Sequence, residues 1–183
     1  MSEPTLQDRF HLIGIGGAGM SVVAELLASR GATVEGSDRE ESAVLEHLRS
    51  VGVRAFVGHE ASHVDPSSVV VVSTAIREDN PELAIAHERG QRVIHRSQAL
   101  ALAASGMRFV GVAGAHGKTT TSGMLAIGLS ACGLDPSVAV GGVLPQLGTG
   151  AHLGGGDVFV AEADESDGSF LNYTPAIEIV TNV

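Results

Sequence analysis

The segment Val112-Ala113-Gly114-Ala115-His116-Gly117-Lys118-Thr119-Thr120-Thr121 joins an apolar run to a helical pattern, and its residue types are those that hold a terminal phosphate. Lys118 supplies a cation for the phosphate oxygens, and Thr119 supplies a hydroxyl for Mg²⁺. The backbone amides from Gly114 through Ala115, His116 and Gly117 to Thr119 form an anion nest, with Thr120 next in the first helical turn. The strict spacing G-x-x-x-x-G-K-[ST] would put glycine where Val112 stands, so this is a variant loop with Gly114 closer to the Gly-Lys pair. A site for Mg·ATP also needs carboxylates. Glu162, Asp164, Glu165 and Asp167 follow the apolar run Val158–Ala161, and acids there would face the crevice at the carboxyl ends of parallel strands. Glu162 is nearest the strand end and is the candidate metal ligand beside Thr119; for the other three, a solvated acidic loop is the plainer reading.

A second glycine loop lies far upstream. Gly14-Ile15-Gly16-Gly17-Ala18-Gly19 matches G-x-G-x-x-G between a strand pattern and a helix pattern. In that context the first glycine makes the tight turn, the second admits a pyrophosphate and the third lets helix and strand pack closely. The helix N-terminus adds free N–H groups and partial positive charge. Asp38 falls roughly 20 residues on, at the end of the second strand, where a ribose hydroxyl can be read. Ser73 and Thr74 end a central strand beside this loop and could touch phosphate or sugar. His59, His63 and His95 show no metal-ligand spacing and read as surface or packed residues; Cys132 reads as a small apolar residue at a helix end.

These loops require strands that deliver them and helices that receive them. The spacing predicts strands over 10–15, 32–36, 53–57, 69–74 and 91–95, and helices over 18–29, 41–51, 81–89 and 97–104. Asn80 is the expected N-cap of the third helix, with Pro81 in its first position. This alternation predicts a parallel, doubly wound α/β sheet, a Rossmann-like domain over residues 1–106. A second unit over 107–183 reads as strand 107–113, helix 117–132, strand 137–140, a long glycine-rich connection over 141–156, and strands 158–161 and 176–181. Ending on a strand with no closing helix, it is expected to be the incomplete start of a P-loop α/β domain, whose bare sheet edge could pair with a second copy as a homodimer.

Composition narrows the classes. Net charge is −10, which argues against a nucleic-acid or anionic-membrane surface, so any bound anion must be held by local backbone dipoles, a few cations and a metal. Only 3% of residues are aromatic, so burial falls to Val, Ala, Leu and Ile. The single cysteine excludes an intrachain disulfide and fits a reducing, cytoplasmic setting. The start, "MSEPTLQDRF", shows no signal-peptide pattern, and no apolar run approaches the ~20 residues of a membrane span.

Taken together, "GIGGAGMS" at 14–21, "GSD" at 36–38, "AGAHGKTTT" at 113–121, "GG" at 141–142, "EADESDGSF" at 162–170 and "VTNV" at 180–183 resemble the Mur ligases, over nearly all of residues 10–183. The first loop and Ser166 favour the alanine-adding members over those that recycle murein tripeptide. The resemblance implies UDP-N-acetylmuramate on the first unit, held by Gly16, Gly17, Ala18, Gly19, Met20, Asp38, Ser73 and Thr74. It implies ATP on Gly114 to Thr120, Mg²⁺ on Thr119 and Glu162, and Lys118 as the catalytic cation. The lactyl carboxylate would become an acyl phosphate and L-alanine would displace the phosphate. Ala115 departs from the usual Thr, and "HRSQAL" at 95–100 departs from the usual Arg-Ala-Glu. The resemblance also implies an adenine site and an amino-acid-positioning domain beyond residue 183, so an N-terminal fragment without turnover is expected. Two other classes stay open: an NAD-dependent dehydrogenase, which leaves Lys118, Thr119 and Glu162 idle, and a non-enzymatic UDP-sugar-binding module.

Overall fold

The computed structural model describes residues 3–163 and 172–182 and divides into two compact units, Met1–Ala103 and Ala104–Val183. In the first unit the elements run β1 (Arg9–Ile13), α1 (Ala18–Ser29), β2 (Thr33–Asp38), α2 (Ala43–Ser50), β3 (Arg54–Val57), a 3-10 turn (Ala61–His63), β4 (Val69–Val72), α3 (Pro81–Glu88), β5 (Val93–His95) and α4 (Arg96–Ala103). The sheet order is β3-β2-β1-β4-β5 and every pairing is parallel. That order reverses direction between β1 and β4, the point where open α/β sheets leave a crevice.

Local chemistry explains the boundaries. α1 stops at Arg30, and Gly31 follows at φ +86°, a left-handed turn that a Cβ disfavours. The Ser42 hydroxyl caps α2 by accepting from Leu45 N. Asn80 Oδ1 accepts from Glu82 N and Leu83 N with Pro81 in the first turn, as its spacing predicts. β4 is four consecutive valines, and Val69, Val70 and Val71 are buried, as a strand covered on both faces requires.

Alternation along β1 sends Ile13 into a cluster with Val70, Leu83 and Ala86 on the α3 face, and His11 points the same way. His11 is fully buried, with Nε2 3.3 Å from Glu82 Oε2 and Nδ1 3.8 Å from Glu35 Oε1. Glu35 is its register partner on β2. Neither contact has hydrogen-bond geometry, so these are ion pairs. Around Glu82 the Ser37 hydroxyl donates to Oε2, Glu60 N donates to Oε1 at 3.3 Å, and His59 and His63 approach at 3.4 and 3.2 Å. Burial opposes a charge on His11, but its contacts with Glu35 and Glu82 outweigh it, and the imidazole holds its proton above the ordinary 6.5. Burial likewise pushes Glu82 and Glu35 up, yet their contacts with His11, and with Ser37 or Arg9, bring both below the ordinary 4.5.

The second unit contains β6 (Arg108–Ala113), α5 (Lys118–Ala131), β7 (Ser137–Leu144), β8 (Thr149–His152), β9 (Val158–Glu162) and β10 (Ile177–Val180). Its sheet order is β10-β6-β9-β7-β8, parallel except for the antiparallel β7–β8 pair. α5 packs Ala126 on Val138, Val140 and Leu144, and Leu125 and Leu129 on Val110, Val158 and Val160. The glycine-rich stretch 141–156 is not simply a connection: it extends β7 to Leu144 and returns as β8. Buried Leu144 and Ala151 anchor the two arms, and Gly148, at φ +70°, closes the turn with its amide on Leu144 O. A stretch so rich in Gly carries little strand propensity, and packing against α5 reveals the hairpin.

The His11 network carries a pH signature. A raised His11 pKa stabilises fully below 6.5, and that contribution fades as pH rises through the elevated value. The lowered Glu82 and Glu35 pKa values stabilise fully above 4.5 and lose their contribution as pH falls through the depressed values. Protection of β1 amides against hydrogen exchange, corrected for intrinsic rate, is therefore expected to peak between 4.5 and 6.5 and to decline on both sides. His11→Asn is expected to flatten the alkaline decline.

Candidate functional sites on two glycine loops

In the first unit β1 ends at Ile13, and the amides of Gly14 and Ile15 both donate to Ser37 O, at 2.8 and 2.9 Å. The chain then turns: Gly17 N donates to Gly14 O, and α1 starts at Ala18 with Gly17 as N-cap. No side chain caps α1, and its first turn holds no acid, so its amide end keeps its partial positive charge uncompensated by a side chain. Gly16 is where glycine is required. A Cβ there would lie 2.8 Å from both Asp38 Oδ2 and Leu45 Cδ1. Gly19 sits under the Arg96 guanidinium, whose Nη1 is 2.7 Å from the position a Cβ would take. Arg96 opens α4 and so brings a cation to the α1 N-terminus, a placement that the departure from the family pattern at 95–100 did not disclose.

Asp38 lies on the cleft wall, but its carboxylate is engaged with backbone: Oδ2 accepts from Gly16 N at 2.8 Å and Oδ1 from Arg39 N at 2.7 Å. Its evident task is to fix the loop, and Gly16 N is spent on it. Of the loop residues, Ala18, Gly19 and Met20 form the first turn of α1. A cleft of about 520 Å³ lies outside the carboxyl ends of β1, β2 and β4, lined by Gly14, Asp38, Arg39, Ile76, Arg77 and Asn80 among others. Ser73 is half-buried and Thr74 exposed just after β4, while the wall itself is made by Ala75, Ile76 and Arg77. The cleft wall carries two carboxylates, Asp38 and Asp79, and two cations, Arg39 and Arg77, with Arg77 Nε 3.3 Å from Asp79 Oδ1. Neither cation stands in a motif, so spacing could not single them out.

In the second unit β6 delivers the loop to α5. Gly117 is the N-cap at φ +83°, and Thr121 N closes the first helical turn on Gly117 O. Lys118 Nζ folds back and donates to Gly114 O at 2.6 Å. Ala115, His116, Thr119 and Thr120 are exposed. Glu162 ends β9 opposite Val112 of β6, and its Oε1 is buried with no hydrogen-bond partner among the described residues. Gly141 and Gly142 of β7 each lie against one of the two metal candidates. A Cβ on Gly141 would lie 3.3 Å from Glu162 Oε2, and one on Gly142 would lie 3.3 Å from Thr119 Cγ2. An orphaned carboxylate oxygen and an exposed hydroxyl are hard oxygen donors, and they fit Mg²⁺, which takes one or two protein ligands and completes its shell with phosphate and water. Among the described residues no group of three or more His, Cys, Asp or Glu could hold a metal ion. Asp164, Glu165 and Asp167 lie outside the described residues.

Two residues just past the end of β10, outside any phosphate-loop motif, meet this loop. Thr181 Oγ1 donates to His116 O at 2.6 Å, and Asn182 Nδ2 donates to the same oxygen at 2.9 Å. They were legible only as part of the "VTNV" string, because strand pairing is what carries them to the loop.

A parallel open sheet followed by a second unit with a strand–loop–helix glycine corner defines an α/β protein of two units, and comparison gives its family. The family model "Mur ligase family, catalytic domain" matches residues 9–108, and the chain belongs to that family. It is 58% identical over 181 residues to the UDP-N-acetylmuramate–L-alanine ligase of Streptomyces avermitilis, and 52% identical over 181 residues to that of Cutibacterium acnes. These alignments take in 98% and 99% of this chain, which spans 39% and 38% of the relatives' length. Among solved structures, UDP-N-acetylmuramate-alanine ligase from Thermotoga maritima matches 96% of this chain with TM-score 0.85 at 33% identity, over 41% of its own chain. The UDP-N-acetylmuramate:L-alanyl-gamma-D-glutamyl-meso-diaminopimelate ligase from Neisseria meningitides matches 96% with TM-score 0.89 at 28% identity, over 60% of its chain.

Gly16→Ala is expected to lower the stability of the first unit by about 1–3 kcal/mol, because the new methyl must displace both Asp38 and Leu45. Exchange protection of α1 and β1 amides reads the loss, with second-unit amides as the internal control.

Proposed function

We propose that this chain carries the substrate-nucleotide and ATP-phosphate sites of an ATP-dependent ligase that joins L-alanine to UDP-N-acetylmuramate, a step of peptidoglycan synthesis. The observation that carries the reading is the pair of glycine corners of different kind. One opens an uncapped helix beside a cleft with Arg39 and Arg77, and the other sets Lys118 and the orphaned Glu162 oxygen around a phosphate nest. The identity to alanine-adding relatives supports the choice of substrates.

In this reading the amides of Ala18, Gly19 and Met20, with Arg96 above them, take the diphosphate of the UDP-sugar. Gly16 and Asp38 hold the turn in shape. The amides from Ala115 to Thr120 take the ATP phosphates, and Lys118 leaves Gly114 O to neutralise charge on the transferring phosphoryl group. The lactyl carboxylate oxygen bonds to the γ-phosphorus while the bond to the β-phosphate oxygen breaks, releasing ADP. The alanine nitrogen then bonds to the acyl carbon, the C–O bond to phosphate breaks, and the amine proton is lost to solvent. Carboxylate is a poor acylating agent, and phosphorylation supplies its leaving group. Thr119 and Glu162 would hold Mg²⁺, which when bound offsets negative charge between the phosphates. The protein's part is positioning and charge neutralisation. Use of ATP and a lone cysteine fit a cytoplasmic setting; among the described residues no helix is long and apolar enough to cross a membrane.

Calorimetric titration separates this reading from the dehydrogenase one. UDP-N-acetylmuramate is expected to bind and NADH to give no heat; NADH binding with no response to the UDP-sugar overturns the proposal. Lys118→Ala is expected to weaken Mg·ATP at least about 30-fold, the loss from truncating one partner of a close charge pair, and to leave UDP-N-acetylmuramate affinity unchanged.

A further inference from the structure

We propose that Thr181 and Asn182 are positioning residues for the phosphate loop: they grip its backbone at Ala113 and His116 and hold it, before any nucleotide arrives, in the form that accepts phosphates. The functional meaning rests on the ATP reading above; the geometry does not.

β10 runs beside β6 with Val180 paired to Ala113. Thr181 N donates to Ala113 O at 2.9 Å, so the ladder extends one residue past the strand. The Thr181 hydroxyl has one proton and two acceptors in range, His116 O at 2.6 Å and Ala113 O at 3.1 Å; the shorter contact spans the loop. Asn182 pairs with a whole residue. Its Nδ2 donates to His116 O at 2.9 Å, and its Oδ1 accepts from His116 N at 3.3 Å. A side-chain amide thus takes the part of a neighbouring strand for one exposed loop residue.

Gly114 supplies a second, independent mark of this grip. It stands at φ +124°, and a Cβ there would run into the Thr181 hydroxyl and lie 3.0 Å from Asn182 N. The end of β10 comes so close that only glycine fits. That accounts for the shifted spacing of the motif: Val112 is fully buried in β6, and glycine is needed two residues later, where Thr181 and Asn182 cross. Fixing His116 fixes Gly117, the left-handed residue from which α5 and the amides of Lys118 and Thr119 are aimed. A loop ordered in advance loses less entropy on binding.

The test uses residue-resolved hydrogen exchange together with Mg·ATP titration on Thr181→Val, Asn182→Ala and Thr181→Ser. Val keeps the shape of Thr181 without the hydroxyl, and Ser keeps the hydroxyl. Thr181→Val and Asn182→Ala are expected to speed exchange at His116 and the following loop amides about tenfold and to weaken Mg·ATP by a similar factor. Amides of β7 and β9 should keep their rates, UDP-N-acetylmuramate affinity should not move, and Thr181→Ser should restore both loop protection and Mg·ATP affinity. Unchanged loop exchange in Asn182→Ala, or acceleration spread evenly over the unit, overturns the proposal. Failure of the unaltered protein to bind Mg·ATP counts instead against the proposed function, and the exchange comparison still decides the grip.

Discussion

The structure turns on one constraint: a parallel strand that ends at a helix start leaves backbone amides without partners. Four N–H groups at the head of a helix cannot be satisfied within it, and they carry the positive end of the helix dipole. At α1 and α5 this demand is not met by a side-chain cap; glycine N-caps, Gly17 and Gly117, stand there instead. Two other helices do carry side-chain caps, Ser42 on α2 and Asn80 on α3. Within one molecule, these two corners stand apart as helix starts whose amides no side chain caps.

Each corner must also be held open, and each unit uses a neighbouring strand end to do it. Asp38, at the end of β2, takes Gly16 N and keeps the first turn rigid. Thr181 and Asn182, after β10, take both peptide groups of His116 in the second. In both cases the close approach crowds any Cβ, most severely at Gly114, so the brace itself favours glycine there. Within a chain of net charge −10, whose wider field repels anions, Arg39, Arg77, Arg96 and Lys118 stand near the loops, Arg77 paired to Asp79.

The buried His11, Glu35 and Glu82 cluster has a different standing. It joins β1, β2 and α3 on the face that also carries the Ile13 core, and His59 connects it to the cleft wall. Buried charges of this kind add little net stability over apolar packing but are costly to break singly. They tie the strand ends that shape the cleft to one protonation pattern.

The sequence by itself determined the alternation of strands and helices, the bounds of α1, the Asn80–Pro81 start of α3 and both glycine corners, because periodicity, caps and turn glycines are local properties. It also made the family legible through an ordered series of motifs, which a single loop could not do. Tertiary structure alone decided the β7–β8 hairpin, whose glycine-rich arms become strands only when Leu144 packs on α5. It alone set Asp38 on Gly16 N, and brought His11 to Glu82 and Asn182 to His116. Those partners lie far apart along the chain, and strand register, not sequence spacing, sets which side chains meet.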